Sequence, residues 1–408
     1  MESNTNVLIT EKPKMNVAML IMQCIGIIAV VYGHASAPAE KIFYSAFTYY
    51  SWHMPFFVFI SGYFFNRTRS AGQYIWQKVK SHLIPALFLN AIFCVFAYFI
   101  KLFEVAQYVE ELNFKSFLVY PFTSGYSAYI NVSMWFVFVL VSIEIVACLM
   151  DRLARGKADF IYLGATLAIS VFCVCITFYN NDGTRQEYLN ALLRLGYLLF
   201  FFWLGACYRK YGEKHLQRFI NWKSSLIIYL VQLLFLAVSG YKIGTNVRDM
   251  TMNIITAPHG WWTAIITPIT ATLFFLGISY SLAPYIKDSK TLEIMGRSTK
   301  YVMYYHQLIF VIFSSLFALL HTSGVYTLEG FSLKNMQNNV YYTGGNELMT
   351  YFVAAIGLIL PIIACRFINK QKWFVRIAIY TVLSSLIILF FYFTGASITR
   401  FLDAQQTV

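Results

Sequence analysis

SWHMPFFVFISGYFF, residues 51–65, is apolar or aromatic at almost every position. It nevertheless carries His53 and Pro55 near its start and the pair Ser61-Gly62 further on. Such a stretch belongs either to a buried core helix or to a membrane span, and its surroundings decide between them. Runs of the same character recur along all 408 residues without a long polar break. The chain is 59% hydrophobic and 12% charged, with a mean hydropathy of +0.59. Soluble domains carry about twice that charge. The reading is an all-α fold, a polytopic membrane bundle of about 10–11 transmembrane helices. We read residues 1–408 as a single integral-membrane domain with its core at about 16–394.

A helical span needs about 20 mostly apolar residues. Eleven candidates run roughly over 15–34, 43–65, 83–102, 133–150, 159–178, 190–208, 224–240, 261–280, 301–320, 350–368 and 374–394. The first is not a cleavable signal. It is long, lacks a small-residue cleavage pattern and carries Gln23 and His34.

The net charge of +13 invites a nucleic-acid reading, and the distribution of that charge argues against it. With the N-terminus, Lys12 and Lys14 in the cytoplasm, about 22 of the 31 lysines and arginines fall on the inner side. They sit in NRTRSAGQYIWQKVK (66–80), DRLARGK (151–157), YRKYGEKHLQR (208–218), KDSKTLEIMGRSTK (287–300) and RFINKQKWFVR (366–376). The basic residues are thus mostly a topology signal, with a lipid bilayer as partner and no nucleic acid. Loops 66–82 and 209–223 are expected inside, and 103–132 and 321–349 outside. The two outer loops are long and rich in Tyr, Asn, Gly and Ser. Those residues suit either sugar binding or an interfacial aromatic belt. All seven cysteines lie in apolar runs and read as small core residues, with no zinc-like spacing and no metal expected.

An ionisable residue facing lipid costs a few kcal/mol, so those inside spans are functional candidates. They are His34, His53, Glu144, Arg194 and His306. His34 falls at the outer end of span 1 and His53 near the outer start of span 2. Both imidazoles can face one outward pocket. Arg194 lies early in span 6, Glu144 past the middle of span 4 and His306 in the inner half of span 9. These three extend a polar path across the bundle. Plainer readings stand beside these. His53 can serve the start of its helix, Glu144 can pair for packing, Arg194 can snorkel to the interface, and His306 can bond a carbonyl.

CIGIIAVVYGHASAP (24–38) followed by WHMPFFVFISGYFF (52–65) resembles the acyltransferase 3 family of bacterial membrane proteins, in the branch that includes fucose 4-O-acetylase-like enzymes. KVKSHLIPALF, MWFVFVL, LGYLLFFFWLGACYRK and LEIMGRSTKYVMYYHQLI are similar to further family motifs in the same order. Together they cover roughly residues 16–320. The family has a basic residue eleven positions before the span 1 histidine, where this chain has Gln23. Lys78, Lys80 and His82 stand where arginines are usual.

The resemblance implies O-acylation, usually O-acetylation, of a sugar or polysaccharide outside the bacterial inner membrane, with cytoplasmic acetyl-CoA as donor. A sugar hydroxyl needs a general base, and histidine titrates near neutrality. His34 is the expected base. His53 is expected to orient it or to stabilise the oxyanion, and Arg194 to stabilise negative charge. Gln23, Arg67, Arg69, Lys78 and Lys80 are candidates for holding the acyl-CoA, the four basic ones through its phosphates. Alternatively, those four are topology residues only. A transport or polysaccharide-export component would also use intramembrane His, Glu and Arg, although no inverted repeat is visible. A ligand sensor is a third reading. The sequence sets no oligomeric state.

Overall fold

The computed structural model describes residues 16–35, 46–47, 49–106, 113–123, 129–180, 186–238, 260–326, 330–339, 341–342 and 346–406. Lys12, Lys14 and parts of both expected outer loops lie outside the described residues. Among the described residues there are eleven apolar helices and no strand, an all-α polytopic bundle. They are α1 (Val17–His34), α2 (His53–Tyr63), α3 (Ala71–Leu102), α4 (Trp135–Leu153), α5 (Asp159–Tyr179) and α6 (Glu187–Cys207). Then follow α7 (Trp222–Val238), α8 (Thr263–Ile286), α9 (Thr299–Thr322), α10 (Glu347–Asn369) and α11 (Trp373–Gln406).

Each expected span has its helix, and nine are long and apolar enough to cross a membrane. The exceptions are α7, with 17 residues, and α2, with 11. The expected full span over 43–65 is therefore corrected. Helix α2 rises about 16 Å, half of a hydrocarbon core of about 30 Å. It starts late because Trp52 leaves helical geometry (φ −142°) and the ring-locked Pro55 occupies the first turn. Trp52 is fully buried, its ring 4.4 Å from that of Phe275 on α8. That wedge holds the start of α2 inside the bundle.

Residues 71–82, expected as part of an inner loop, are instead helical. Ser70 caps α3 through a capping box with Gln73, and the helix runs through a π turn at Val79–Leu83 to Leu102. Pro85 follows that turn. Its missing N–H and its ring disturb the preceding helical bonds, a recognised cause of such bulges. Likewise, α6 continues beyond Cys207 through a π turn at Tyr208–Gly212 to Leu216.

Helix α1 is central, packing on α2, α8, α9 and α10. In α6 and α9, 72% of the apolar window is buried, against 6% in α11, so the core is built around α1, α4, α6 and α9 while α11 faces lipid. Helices α2 and α6 cross at Gly62 and Gly205. A Cβ on Gly62 would lie 1.9 Å from the Phe202 carbonyl oxygen, and one on Gly205 2.0 Å from that of Phe59. Glycine is needed at both because the two backbones touch.

Candidate active site

Helix α1 ends at His34, and the ring of His306 on α9 lies 5.4 Å from it, centre to centre. His306 is fully buried. Its Nδ1 is 2.7 Å from the Val302 carbonyl oxygen one turn back. A carbonyl only accepts, so Nδ1 carries the hydrogen. In the neutral ring, Nε2 is then an acceptor. Among the described residues, this buried Nε2 has no hydrogen-bond partner.

His306 is the eighth of the 24 residues of α9, in its inner half as expected, and the ring contact supplies the neighbour that counting along the span did not give. A short helix, Lys290–Arg297, precedes α9 and lies along α1. Its Gly296 meets Leu20, and its Leu292 carbonyl oxygen is 3.8 Å from the Cys24 thiol. The short helix runs down α1 from Cys24 to Leu20, and α9 then turns up beside α1, with His306 on the face that meets His34.

Tyr50 links the second histidine to the first. Its ring centre is 6.4 Å from that of His34 and 5.8 Å from that of His53. His53 is buried and is the first residue of α2, at the helix entrance expected for it. Arg194 is also fully buried, with its guanidinium 4.9 Å from the centre of the Trp135 ring. That corrects the snorkelling alternative. From the crossing of the parallel helices α2 and α6, His53 is nine residues up one and Arg194 eleven up the other. At about 1.5 Å per residue their depths differ by about 3 Å, less than one helical turn.

A polar seam adjoins this layer. Asn131 (φ −143°, ψ 67°) breaks the turn before α4, and its amide donates to the Tyr304 carbonyl at 2.5 Å. The Ser133 N–H donates to Gln307 Oε1 at 2.9 Å. The entry of α4, and with it Trp135, is thus tied to the turn of α9 that carries His306.

The other end of the bundle is ion-paired. Lys78 Nζ is 2.5 Å from Glu144 Oε1, to which the Ser61 hydroxyl also donates at 2.5 Å. Glu144 is buried, and this contact makes it the counter-ion of Lys78. Arg67 sits 2.6 Å from Asp159 and 3.5 Å from Asp151. Burial opposes its charge, but hydrogen bonding and attraction to Asp159, with Asp151 beside it, raise its pKa above the ordinary guanidinium value. Lys210 and Tyr211 also bond Asp159, at 2.6 and 2.8 Å. Arg69 and Lys80 have exposed side chains. Gln23 is half-buried, eleven residues before His34 and so three turns below it on nearly the same face of α1.

The family model for an acyltransferase domain, acyltransferase 3, matches residues 16–366. The chain belongs to the acyltransferase 3 family. No curated protein and no solved structure matches it. It is thus a multi-pass membrane acyltransferase, and the match runs from the cap of α1 through most of α10. In the acyltransferase His34 meets His306 and, through Tyr50, His53, while Arg194 stands against Trp135 and Glu144 pairs with Lys78.

Sequence reasoning missed Tyr50 and the pairing of Trp135 with Arg194 in this acyltransferase. Tyr50 lies three residues before His53, a helical spacing that could have drawn attention to it. Nothing in sequence joins Trp135 to Arg194, 59 residues apart. Also missed was a clamp at the far end. Asn16 donates to Tyr63 and to Glu213 at 2.6 and 2.7 Å, and the hydroxyls of Tyr63 and Tyr280 reach the same Glu213 oxygen at 2.7 and 3.2 Å.

Proposed function

We propose that the chain is an O-acyltransferase of the bacterial cytoplasmic membrane, with its N-terminus inside. It moves an acetyl group from cytoplasmic acetyl-CoA to a sugar hydroxyl of an extracytoplasmic polysaccharide or lipid-linked glycan. The observation that carries this reading is the buried contact of His34 with His306, with His53 reached through Tyr50. Clustered imidazoles suit proton transfer from a weakly acidic hydroxyl.

In this mechanism the sugar oxygen attacks the thioester carbonyl carbon while His34 takes its proton. The new C–O bond forms, the C–S bond breaks, and the CoA thiolate leaves and collects a proton. His306, its Nδ1–H held by Val302, turns Nε2 toward sharing the proton of His34. His53 and Arg194 stabilise the negative charge that develops on the carbonyl oxygen. At the opposite end, Arg69 and Lys80 meet the CoA phosphates. Lys78 and Arg67 are engaged by carboxylates and hold the helices there. Gln23 lies between the two ends on the His34 face of α1.

The test is transfer of labelled acetyl from acetyl-CoA in membranes containing the chain, with and without the acceptor glycan. Acceptor-dependent labelling that His34→Ala removes is expected. Labelling that persists at full rate in His34→Ala would put the chemistry elsewhere.

A further inference from the structure

On a face of α9 next to that of His306, the helices α3, α9, α10 and α11 enclose a groove of about 190 Å³. Its walls include Phe93, Phe96, Leu308, Pro361 and Ile387. An apolar void of this size does not hold water, and leaving it empty forfeits packing. It is separate from the histidine layer, because Tyr305, Leu308 and Ile309 of α9 line it and His306 does not.

One end of the groove is polar and basic. The hydroxyls of Tyr305 and Tyr380 lie 3.4 Å apart there, and the Asn369 amide donates to Tyr301 at 2.8 Å. Lys300 Nζ lies 5.1 Å from the centre of the Tyr301 ring, and the charges of Arg366 and Arg376 act on the same tyrosine. Arg376 donates to the carbonyls of Gln371 and Asn369, so it braces the turn between α10 and α11. Arg366 is exposed beside it.

We propose that this groove binds one anionic phospholipid, with an acyl chain lying between α3, α9, α10 and α11 and its headgroup phosphate meeting Arg366 and Lys300. A slot open to the bilayer with cations at one end matches an anionic lipid in both parts, whereas a neutral lipid satisfies only the apolar part. The proposal does not depend on the acyl-transfer reading.

The test compares binding of phosphatidylglycerol and phosphatidylcholine with identical chains to the full-length protein in detergent, by native mass spectrometry and thermal shift. Phosphatidylglycerol should be retained preferentially and should raise Tm more. Arg366→Gln should weaken its binding roughly fivefold, as expected for one cation. Ala364→Trp, which fills the groove from α10, should abolish the preference. If Ala364→Trp does not fold, Ser384→Phe fills the same groove from α11. Equal binding of the two lipids overturns the proposal, as does a preference that survives the filling variants. A dimer that the filling variants split would assign the groove to a second copy of the chain and overturn it as well.

Discussion

The two polar regions of this protein handle buried charge in opposite ways. At the Asn16 end, Glu144, Asp151 and Asp159 are buried, and each sits opposite a cation: Lys78, Arg67 with Arg152, and Arg67 with Lys210. At the His34 end the described contacts are between imidazole, guanidinium and aromatic rings. Histidines and an arginine meet aromatic rings, and His306 keeps a buried Nε2 without a partner among the described residues. Paired charges fix helices in place. A buried polar atom left unsatisfied costs about 1–3 kcal/mol. The comparison therefore sets charges neutralised by ion pairs at one end against imidazoles and a guanidinium held by rings at the other.

The strongest way to break this contrast is His34→Ala. Acyl transfer per folded molecule should fall by about 10²–10⁴-fold, the usual range for a general base, with thermal stability retained. Transfer assays normalised to the monodisperse fraction on size exclusion measure both. His53→Ala comes next, with turnover down about a hundredfold if it supports the oxyanion. A structural His53 would show the reverse pattern, with lower abundance and normal turnover.

At the paired end the expected effect shifts from rate to stability. Lys78→Gln leaves the Glu144 carboxylate buried without its cation. It should cost about 2 kcal/mol, toward the low side for such pairs because Lys78 is partly exposed. The double variant Lys78→Gln/Glu144→Gln should recover much of that loss in a thermal melt. No recovery would mean that the ion pair is not what holds α3 against α4. The smallest effect is expected from Arg69→Gln with Lys80→Gln. Donor KM should rise about fivefold, with insertion and Tm unchanged, as for about 1 kcal/mol of exposed charge. An unchanged KM would return both residues to a purely topological role.

Much of this was legible in the chain itself. Eleven apolar runs give eleven helices, because backbone groups in lipid must bond within their own segment. His34, His53, Arg194 and His306 stood out because ionisable groups are costly in that solvent. The order of short motifs pointed to the acyltransferase 3 family, and the family match over residues 16–366 agrees. Pairing across helices was not legible. Counting along the spans put His53 at the entrance of its helix and His306 in the inner half of its own, where the structure has them, but it gave no contact between His306 and His34. Trp52 holds α2 to half length.

The sequence by itself therefore determined which segments are helical and which residues are too polar for their surroundings, since both follow from local composition against a known solvent. Only the tertiary structure decided that Lys78 and Glu144 neutralise each other, that Arg194 faces Trp135 and that His306 touches His34. Those pairings join helices distant in the chain. They depend on where each helix begins and how closely its backbone approaches its neighbour, as at Gly62 and Gly205, and no one-dimensional pattern encodes that offset.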